Sequence, residues 1–293
     1  MKRTLLERLK AGEILVADGA TGTNLQAAGL GLGVPPEEWV FDEPDKIRAL
    51  HRAFVDAGSD IILTCTFGGT RIRLRESAYL DRVVELNKRA VQLACEAASE
   101  REGVLVAGSM GPTGILLEPL GELTHTEATN AYAEQAAALT EGGVDFLLLE
   151  TFFALEEATA AIEGVKRVSN LPLVVSFSYD QGTRTMMGLT PSQVAAAIVP
   201  LGVAAIGANC GKDLDSMEKI AAELAGQKTG LPLWIKPNAG LPRMDGDRSV
   251  YDMPPEKMGE YTKRFIQLGA QIVGGCCGNS PAHVAAIARA AKN

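Results

Sequence analysis

Three cysteines at the ends of two apolar runs are the residues of this chain best suited to chemistry. Two are adjacent, in Gly274-Gly275-Cys276-Cys277-Gly278, and follow the apolar pair Ile272-Val273. The third, Cys210, closes a similar run within Gly207-Ala208-Asn209-Cys210-Gly211. Thiolates are soft ligands that favour zinc, and three protein ligands with a fourth position open is the pattern of a reactive zinc centre. Neighbours on a regular strand face opposite ways. The flanking glycines are expected to relax that restriction, because they permit backbone angles other residues avoid. Taken singly, each cysteine fits a core position, since free cysteine is among the most buried residue types. Their joint placement in glycine loops favours the metal. Cys95 falls mid-helix and reads as core, and Cys65 is a minor ligand candidate at a strand end.

Such a centre is not built for hydrolysis. The chain has only His51, His125 and His283, and no water-activating His or Glu adjoins the cysteines. Three thiolates make a zinc site net negative and weaken it as a Lewis acid. A thiol arriving as fourth ligand would lose its proton yet stay electron-rich. That is the activation a nucleophile needs for alkyl transfer.

Two carboxylates stand at comparable places. Asp18 ends one apolar run before Gly19-Ala20-Thr21-Gly22-Thr23, and Glu150 ends another before Thr151-Phe152. Acids converging at one rim suit a substrate ammonium group, and the amides after Asp18 suit a carboxylate. Capping the next loop, or pairing with an arginine, is the more usual role of a strand-end acid. An acid/base pair of the glycosidase sort is a third reading. Thr64 and Thr66 add hydroxyls to the same rim. Gly111-Pro112-Thr113-Gly114 and Pro237-Asn238-Ala239-Gly240 fit plain turns as well as ligand loops.

The elements that must position these residues come as eight short apolar runs. They are Ile14–Asp18, Asp60–Thr64, Val104–Gly108, Phe146–Glu150, Leu173–Phe177, Ala204–Ala208, Leu233–Lys236 and Gln271–Gly274. Nearly continuous apolar character fits strands buried on both faces. Helical spacing recurs between them, as in Lys46 to Ala57, Leu80 to Glu100, Glu127 to Glu141 and Pro255 to Leu268. Thr124 with Glu127, and Thr190 with Gln193, form capping boxes, and Ser280-Pro281 is a further helix start. Gly58, Gly103, Gly143, Gly202 and Gly269 sit where helices stop. Strand and helix alternating eight times predicts a (β/α)8 TIM barrel, a single domain over residues 1–293, with Leu5 to Leu9 as an extra helix closing its bottom. A doubly wound open sheet is the structural rival. Long loops at 19–42, 109–123 and 237–254 would all emerge at the C-terminal rim, where barrels hold their active sites.

Composition narrows the class. A formal charge of −8 without a basic cluster argues against nucleic acid and anionic membranes as partners. No apolar run approaches the ~20 residues of a membrane span. The charged N-terminus does not read as a signal peptide, so a cytoplasmic location is expected. Five cysteines, two of them adjacent, argue against a disulfide framework.

In order along nearly the whole chain, the motifs Asp18–Thr23, Thr64–Phe67, Gly111–Gly114, Glu150–Phe152, Gly207–Cys210, Pro237–Gly240 and Gly274–Gly278 resemble the zinc-dependent homocysteine S-methyltransferases. The likeness is greatest to the homocysteine-binding domain of cobalamin-dependent methionine synthase. The resemblance implies a (β/α)8 barrel whose Cys210, Cys276 and Cys277 bind Zn2+. It implies that Asp18 and Glu150 hold the amino group of homocysteine, while Thr64 and the amide of Gly19 hold its carboxylate. Asn238 matches a residue that fills the fourth zinc position when substrate is absent. The implied reaction methylates homocysteine to methionine, with methylcobalamin or another methylcorrinoid as donor, carried by a separate corrinoid protein. Betaine, S-methylmethionine and S-adenosylmethionine are alternative donors. Betaine would need aromatic residues around its quaternary ammonium, which Trp39 and Phe41 could supply. A non-catalytic zinc barrel that binds a corrinoid protein is the alternative of another class. The sequence departs from the family at Cys65, where Asn is frequent, and at Asn279-Ser280, where Thr is frequent.

Overall fold

The computed structural model describes residues 2–245 and 248–292. Each apolar run becomes a strand of one sheet. The strands are β1 (Leu15–Val16), β2 (Ile61–Leu63), β3 (Leu105–Met110), β4 (Phe146–Phe152), β5 (Leu173–Ser178), β6 (Ala205–Cys210) and β7 (Leu233–Pro237). A separate hairpin of β8 (Arg243–Asp245) and β9 (Arg248–Val250) follows, and β10 (Ala270–Val273) completes the sheet. All sheet pairings are parallel, in the order β1-β10-β7-β6-β5-β4-β3-β2. A parallel bridge between Ala17 and Ile61 joins β1 to β2 and closes the barrel. The open-sheet alternative is thereby excluded.

The helices are α1 (Leu5–Lys10), α2 (Thr21–Ala27), α3 (Trp39–Asp42), α4 (Pro44–Asp56), α5 (Val83–Ala98), α6 (His125–Gly142), α7 (Leu155–Val168), α8 (Pro191–Ile198), α9 (Leu214–Gly226), α10 (Pro255–Gln267) and α11 (Pro281–Lys292). Capping boxes start α6 at Thr124 and α8 at Thr190, and a third starts α1 at Thr4. The five helix-stopping glycines all take positive φ, the left-handed conformation that costs glycine little. Two loops hold more structure than their composition suggested. The segment 19–42 contains α2 and α3, and 237–254 contains the β8–β9 hairpin. That stretch lacks apolar alternation, so nothing local marked it as strand. Among the described residues, no helix is long and apolar enough to cross a membrane.

Two apolar layers hold the fold. One fills the barrel: Leu15, Ala17, Ile61, Leu63, Leu105, Ala107, Phe146, Leu148, Val174, Ala205, Trp234 and Ile272, with Leu5 and Leu9 of α1 closing its lower end. These are alternate residues of each strand, as the pleat requires. The other layer lies between sheet and helices and includes Val16, Ile62, Val106, Leu147, Leu149, Val175 and Ile206. Strands with both faces buried explain the continuous apolar runs.

Candidate functional site

Two residues further along the inward rows, the barrel interior turns polar. Ser109 follows Leu105 and Ala107, Glu150 follows Phe146 and Leu148, Ser176 follows Val174, and Lys236 follows Trp234. Asn209 occupies the same row as Ala205 on β6. All five are buried. The apolar layers beneath them are the floor of a site at the C-terminal ends of the strands.

Lys236 is the centre of its charge. Its Nζ lies 2.9 Å from Asp18 Oδ1, and Asp18 Oδ2 accepts the Leu63 amide at 2.7 Å. Burial opposes the Lys236 ammonium, but attraction to Asp18, Glu150 and Cys276 outweighs it and holds the group above its ordinary pKa. Burial pushes Asp18 up against the pull of Lys236 and the Leu63 amide. One buried cation therefore serves two acids. Glu150, which accepts from Ser109 Oγ at 2.5 Å, is the surplus acid: burial raises it to about 7, the pull of Lys236 notwithstanding. A second cation, such as an ammonium group, would complete this arrangement. The ion pair formed by Asp18 joins it to a lysine, where the sequence suggested an arginine or a cap. Thr64 accepts the Ser109 amide at 3.1 Å and shares a hydrogen bond with Thr66 at 2.6 Å. Gly19 lines the same cavity, in backbone so crowded that a Cβ would lie 2.4 Å from the Asn279 carbonyl.

The sulfurs of Cys210, Cys276 and Cys277 lie within 4.8 Å of one another, with 3.0 Å between Cys210 and Cys276. β7 stands between β6 and β10 in the sheet, as the convergence requires. Cys276 and Cys277 lie beyond the end of β10, so the alternation of a strand does not constrain them. Gly211 and Gly278 take the positive φ expected of them, whereas Gly274 and Gly275 act differently. Gly274 and Gly275 permit close approach: a Cβ would fall 2.9 Å from the Ala17 carbonyl or 2.2 Å from Asn279 Cγ. Positive φ appears at Gly278 and at Cys210 itself, φ 58, as it does at Thr151, φ 66. Non-glycine residues held there cost ~1–3 kcal/mol each.

Amide side chains fix the sulfur loops. Asn238 Oδ1 accepts the Cys277 amide at 3.0 Å, and its Nδ2 donates to the Gly211 carbonyl at 3.1 Å. Its carboxamide thus ties the two cysteine loops together. Asn279 Nδ2 donates to the carbonyls of Pro237 at 3.0 Å and Cys276 at 3.1 Å. Among the described residues no disulfide forms. Cys65 is buried beside Glu37 and outside the sulfur group, and Cys95 lies on α5.

The donor set fits a soft divalent cation. Three sulfurs each about 2.3 Å from one ion lie about 3.8 Å apart in a tetrahedron, between the 3.0 Å from Cys210 to Cys276 and the 4.8 Å that bounds the group. Hydrogen bonds from Cys210 and Cys276 lower Cys277 to about 3. A bond with Cys277 and burial push Cys276 up to about 12 against the pull of Cys210, and bonds to both neighbours raise Cys210. The shifts run in opposite directions because the three thiols share protons among themselves. A cation can displace thiol protons and satisfy three thiolates together. Tyr251, beside the hairpin, lines the cavity next to the cysteines, which with burial hold its phenol above its ordinary pKa.

The three cysteines open onto a cavity of about 1010 Å³, which Thr64, Glu150, Thr151, Lys236 and Tyr251 also line. Its aromatic wall is Phe67 and Tyr251. Trp39 is buried beneath Lys46, and Phe41 packs on Tyr79 under Arg82. Neither lines the cavity, so the cage suggested for a quaternary ammonium is not formed by them. Sequence reasoning missed Ser109, Asn209, Tyr251 and the role of Lys236. A lysine inside an apolar strand run was the available signal for Lys236.

Comparison with known proteins agrees with this geometry. A sequence model of the family described as homocysteine S-methyltransferase matches residues 15–291. Methionine synthase of Mycobacterium tuberculosis is 32% identical over 296 residues, covering 96% of this chain and 25% of that protein. Methionine synthase of Mycobacterium leprae is 33% identical over 302 residues, covering 98% and 25%. The chain thus spans about a quarter of the length of these relatives. Among solved structures, the metallated form of the homocysteine methyltransferase MmuM from Escherichia coli matches with a TM-score of 0.81 at 25% identity, covering 97% of this chain and 98% of that one.

Proposed function

The chain belongs to the homocysteine S-methyltransferase family, and from that premise we propose that it methylates the thiol of homocysteine, giving methionine, with zinc on Cys210, Cys276 and Cys277 and a methylcorrinoid as donor. The observation that carries this reading is the convergence of three sulfurs at the wall of a cavity that also holds a surplus acid, Glu150. Zinc held there would lower the proton affinity of an incoming thiol while leaving its sulfur nucleophilic.

The remaining roles fall to the chain itself. Glu150 receives the substrate ammonium, and Asp18, already paired with Lys236, adds to the negative field on that side. Thr64 and the Gly19 amide take the substrate carboxylate. Asn238 orients the Cys277 and Gly211 loops, which supports a positioning role whether or not it also serves as a ligand without substrate. In the transfer the S–CH3 bond forms as the methyl–donor bond breaks, and the electron pair of the broken bond stays with the donor. Much of the rate then comes from holding sulfur and methyl carbon in line at close range.

The methylcorrinoid is supported by the methionine synthase relatives, and would be presented from outside this barrel by a corrinoid protein. A betaine donor has less support, because Trp39 and Phe41 are spent on loop packing. A second reading is a small sulfonium donor, S-methylmethionine or S-adenosylmethionine, taken up directly by the cavity of about 1010 Å³. The test is to supply zinc-loaded protein and homocysteine with methylcobalamin, S-methylmethionine, S-adenosylmethionine or betaine, and to quantify methionine. Methionine from methylcobalamin alone supports the proposal. Methionine only from a sulfonium replaces the donor, and none from any donor refutes the reaction.

A further inference from the structure

Asn209 stands one residue before the cysteine that closes β6, on the inward row and with no exposure to solvent. Its carboxamide is used at every position. Oδ1 accepts the Thr151 amide at 2.9 Å and Ser176 Oγ at 2.6 Å. Nδ2 donates to Thr151 Oγ1 at 2.7 Å and to Cys210 Sγ at 3.3 Å, with Cys276 Sγ at 3.8 Å. The orientation of the amide is set by chemistry, because the Thr151 N–H can only donate and so must meet the oxygen. The nitrogen is therefore the atom that faces the sulfurs.

The residues it grips are the two non-glycine residues of the site in left-handed backbone, Thr151 and Cys210. A β-branched residue does not stay there unless its surroundings hold it. One side chain thus pins the end of β4 to the end of β6 and sends an N–H to the sulfur centre. Three thiolates and an incoming thiol bring more negative charge than one divalent cation offsets. An N–H aimed at sulfur counters part of that surplus, and groups behind metal ligands set both their direction and their donor strength.

We infer that Asn209 is a positioning residue of the sulfur centre, whose Nδ2–H donates to Cys210 and Cys276 and thereby fixes the sulfurs and tempers their charge. This rests on the metal reading under the proposed function. It concerns a residue that touches neither substrate nor metal, and it predicts an effect on the centre itself rather than on turnover alone.

The test uses the full chain, stripped of metal and reloaded. Asn209→Asp keeps the acceptor for Thr151 and loses the donor, and Asn209→Ala loses both without adding charge. Each is expected to weaken zinc binding ~10- to 100-fold in chelator competition. Each is also expected to move the sulfur-to-cobalt charge-transfer band of the Co2+ form to lower energy, because an unbonded thiolate gives up its electrons more easily. Ser176→Ala removes only a partner of Oδ1 and is expected to keep the native band. A measurement on the unaltered protein stands beside these: with 113Cd bound, an Asn209 side-chain amide proton is expected to show scalar coupling to the metal through sulfur. Folded variants with native affinity and an unmoved band, or absence of that coupling, overturn the role of Asn209. Failure of the unaltered protein to bind any of the three ions overturns the metal reading, and the inference with it.

Discussion

Replacing Glu150 by glutamine separates what this site does for stability from what it does for binding. Glu150 is 7% exposed and is raised from 4.5 to about 7, chiefly by burial and further by Cys276 and Asp18, against the pull of Lys236. Below pH 4.5 both folded and unfolded chains keep the proton, and the acid costs nothing. Between 4.5 and 7 the unfolded chain releases it while the folded chain retains it, so stability falls as pH rises. Above 7 the folded chain carries the buried charge. The gap from 4.5 to about 7, at about 1.4 kcal/mol per pH unit, makes that cost about 3.5 kcal/mol. Glutamine mimics the neutral acid and can still accept from Ser109 Oγ.

Glu150→Gln is therefore expected to be about 3.5 kcal/mol more stable than the native chain at pH 8 and no more stable at pH 4. Urea titrations across that range check this, with chelator and reductant present so that metal binding adds nothing to the free energy. Homocysteine binding is expected to move the opposite way. The loss of one charged hydrogen bond, worth ~1.5–3 kcal/mol, weakens affinity roughly 10- to 100-fold at pH 8. Native affinity rises as pH passes 7 and Glu150 ionises, whereas that rise is absent in the variant. A stability difference that stays constant from pH 4 to 8, or a glutamine variant less stable at pH 8, refutes the account of Glu150 as a surplus buried charge.

Two further outcomes follow from the same geometry. Cys210→Ala, Cys276→Ala and Cys277→Ala are each expected to abolish stoichiometric zinc measured by metal analysis, while Cys95→Ala keeps it; zinc retained in all three would refute the triad. Lys236→Met is expected to cost ~3–5 kcal/mol in denaturant titrations near pH 8, because Asp18 is left as an unpaired buried charge. Asp18→Asn with Lys236→Met is expected to recover most of it, and a double variant as unstable as the single would count against the ion pair.

The strands, the helix starts and the helix stops were legible because each has a local cause. A β-branched run between glycines, or a threonine three residues before a glutamate, is decided by its own neighbours. The cysteine triad was legible for a different reason: sulfur is rare, and two adjacent cysteines between glycines are rarer. Other parts lacked such a mark. Tyr251 lines the cavity beside Cys277 from a loop that shows no periodicity and stands 26 residues earlier in the chain. The β8–β9 hairpin has one apolar residue in each three-residue strand, too few to show a pattern. The reason given for the glycines was wrong at Gly274 and Gly275, since close packing depends on neighbours that sequence spacing does not reveal.

The polar floor of the site is an intermediate case, because the barrel writes it in a simple code. Inward residues recur at every second position, so a strand whose lower rows are packed with apolar side chains places its next inward residue at the active rim. Counting two on from Ala107 gives Ser109, from Leu148 gives Glu150, from Val174 gives Ser176, and from Trp234 gives Lys236. Composition hid this, because both faces of each strand are buried and the apolar runs show no alternation. A count anchored on one inward residue restores it, and then a lysine or an asparagine on the inward row stops being an oddity. Lys236 cannot reach water, so it needs carboxylates, and two strand-end acids supply them. Asn209 cannot leave its amide unpaired, so it binds the Thr151 backbone, two hydroxyls and the sulfurs. The burial that makes these groups costly is what fixes their partners, and those partners shape the space into which substrate must fit.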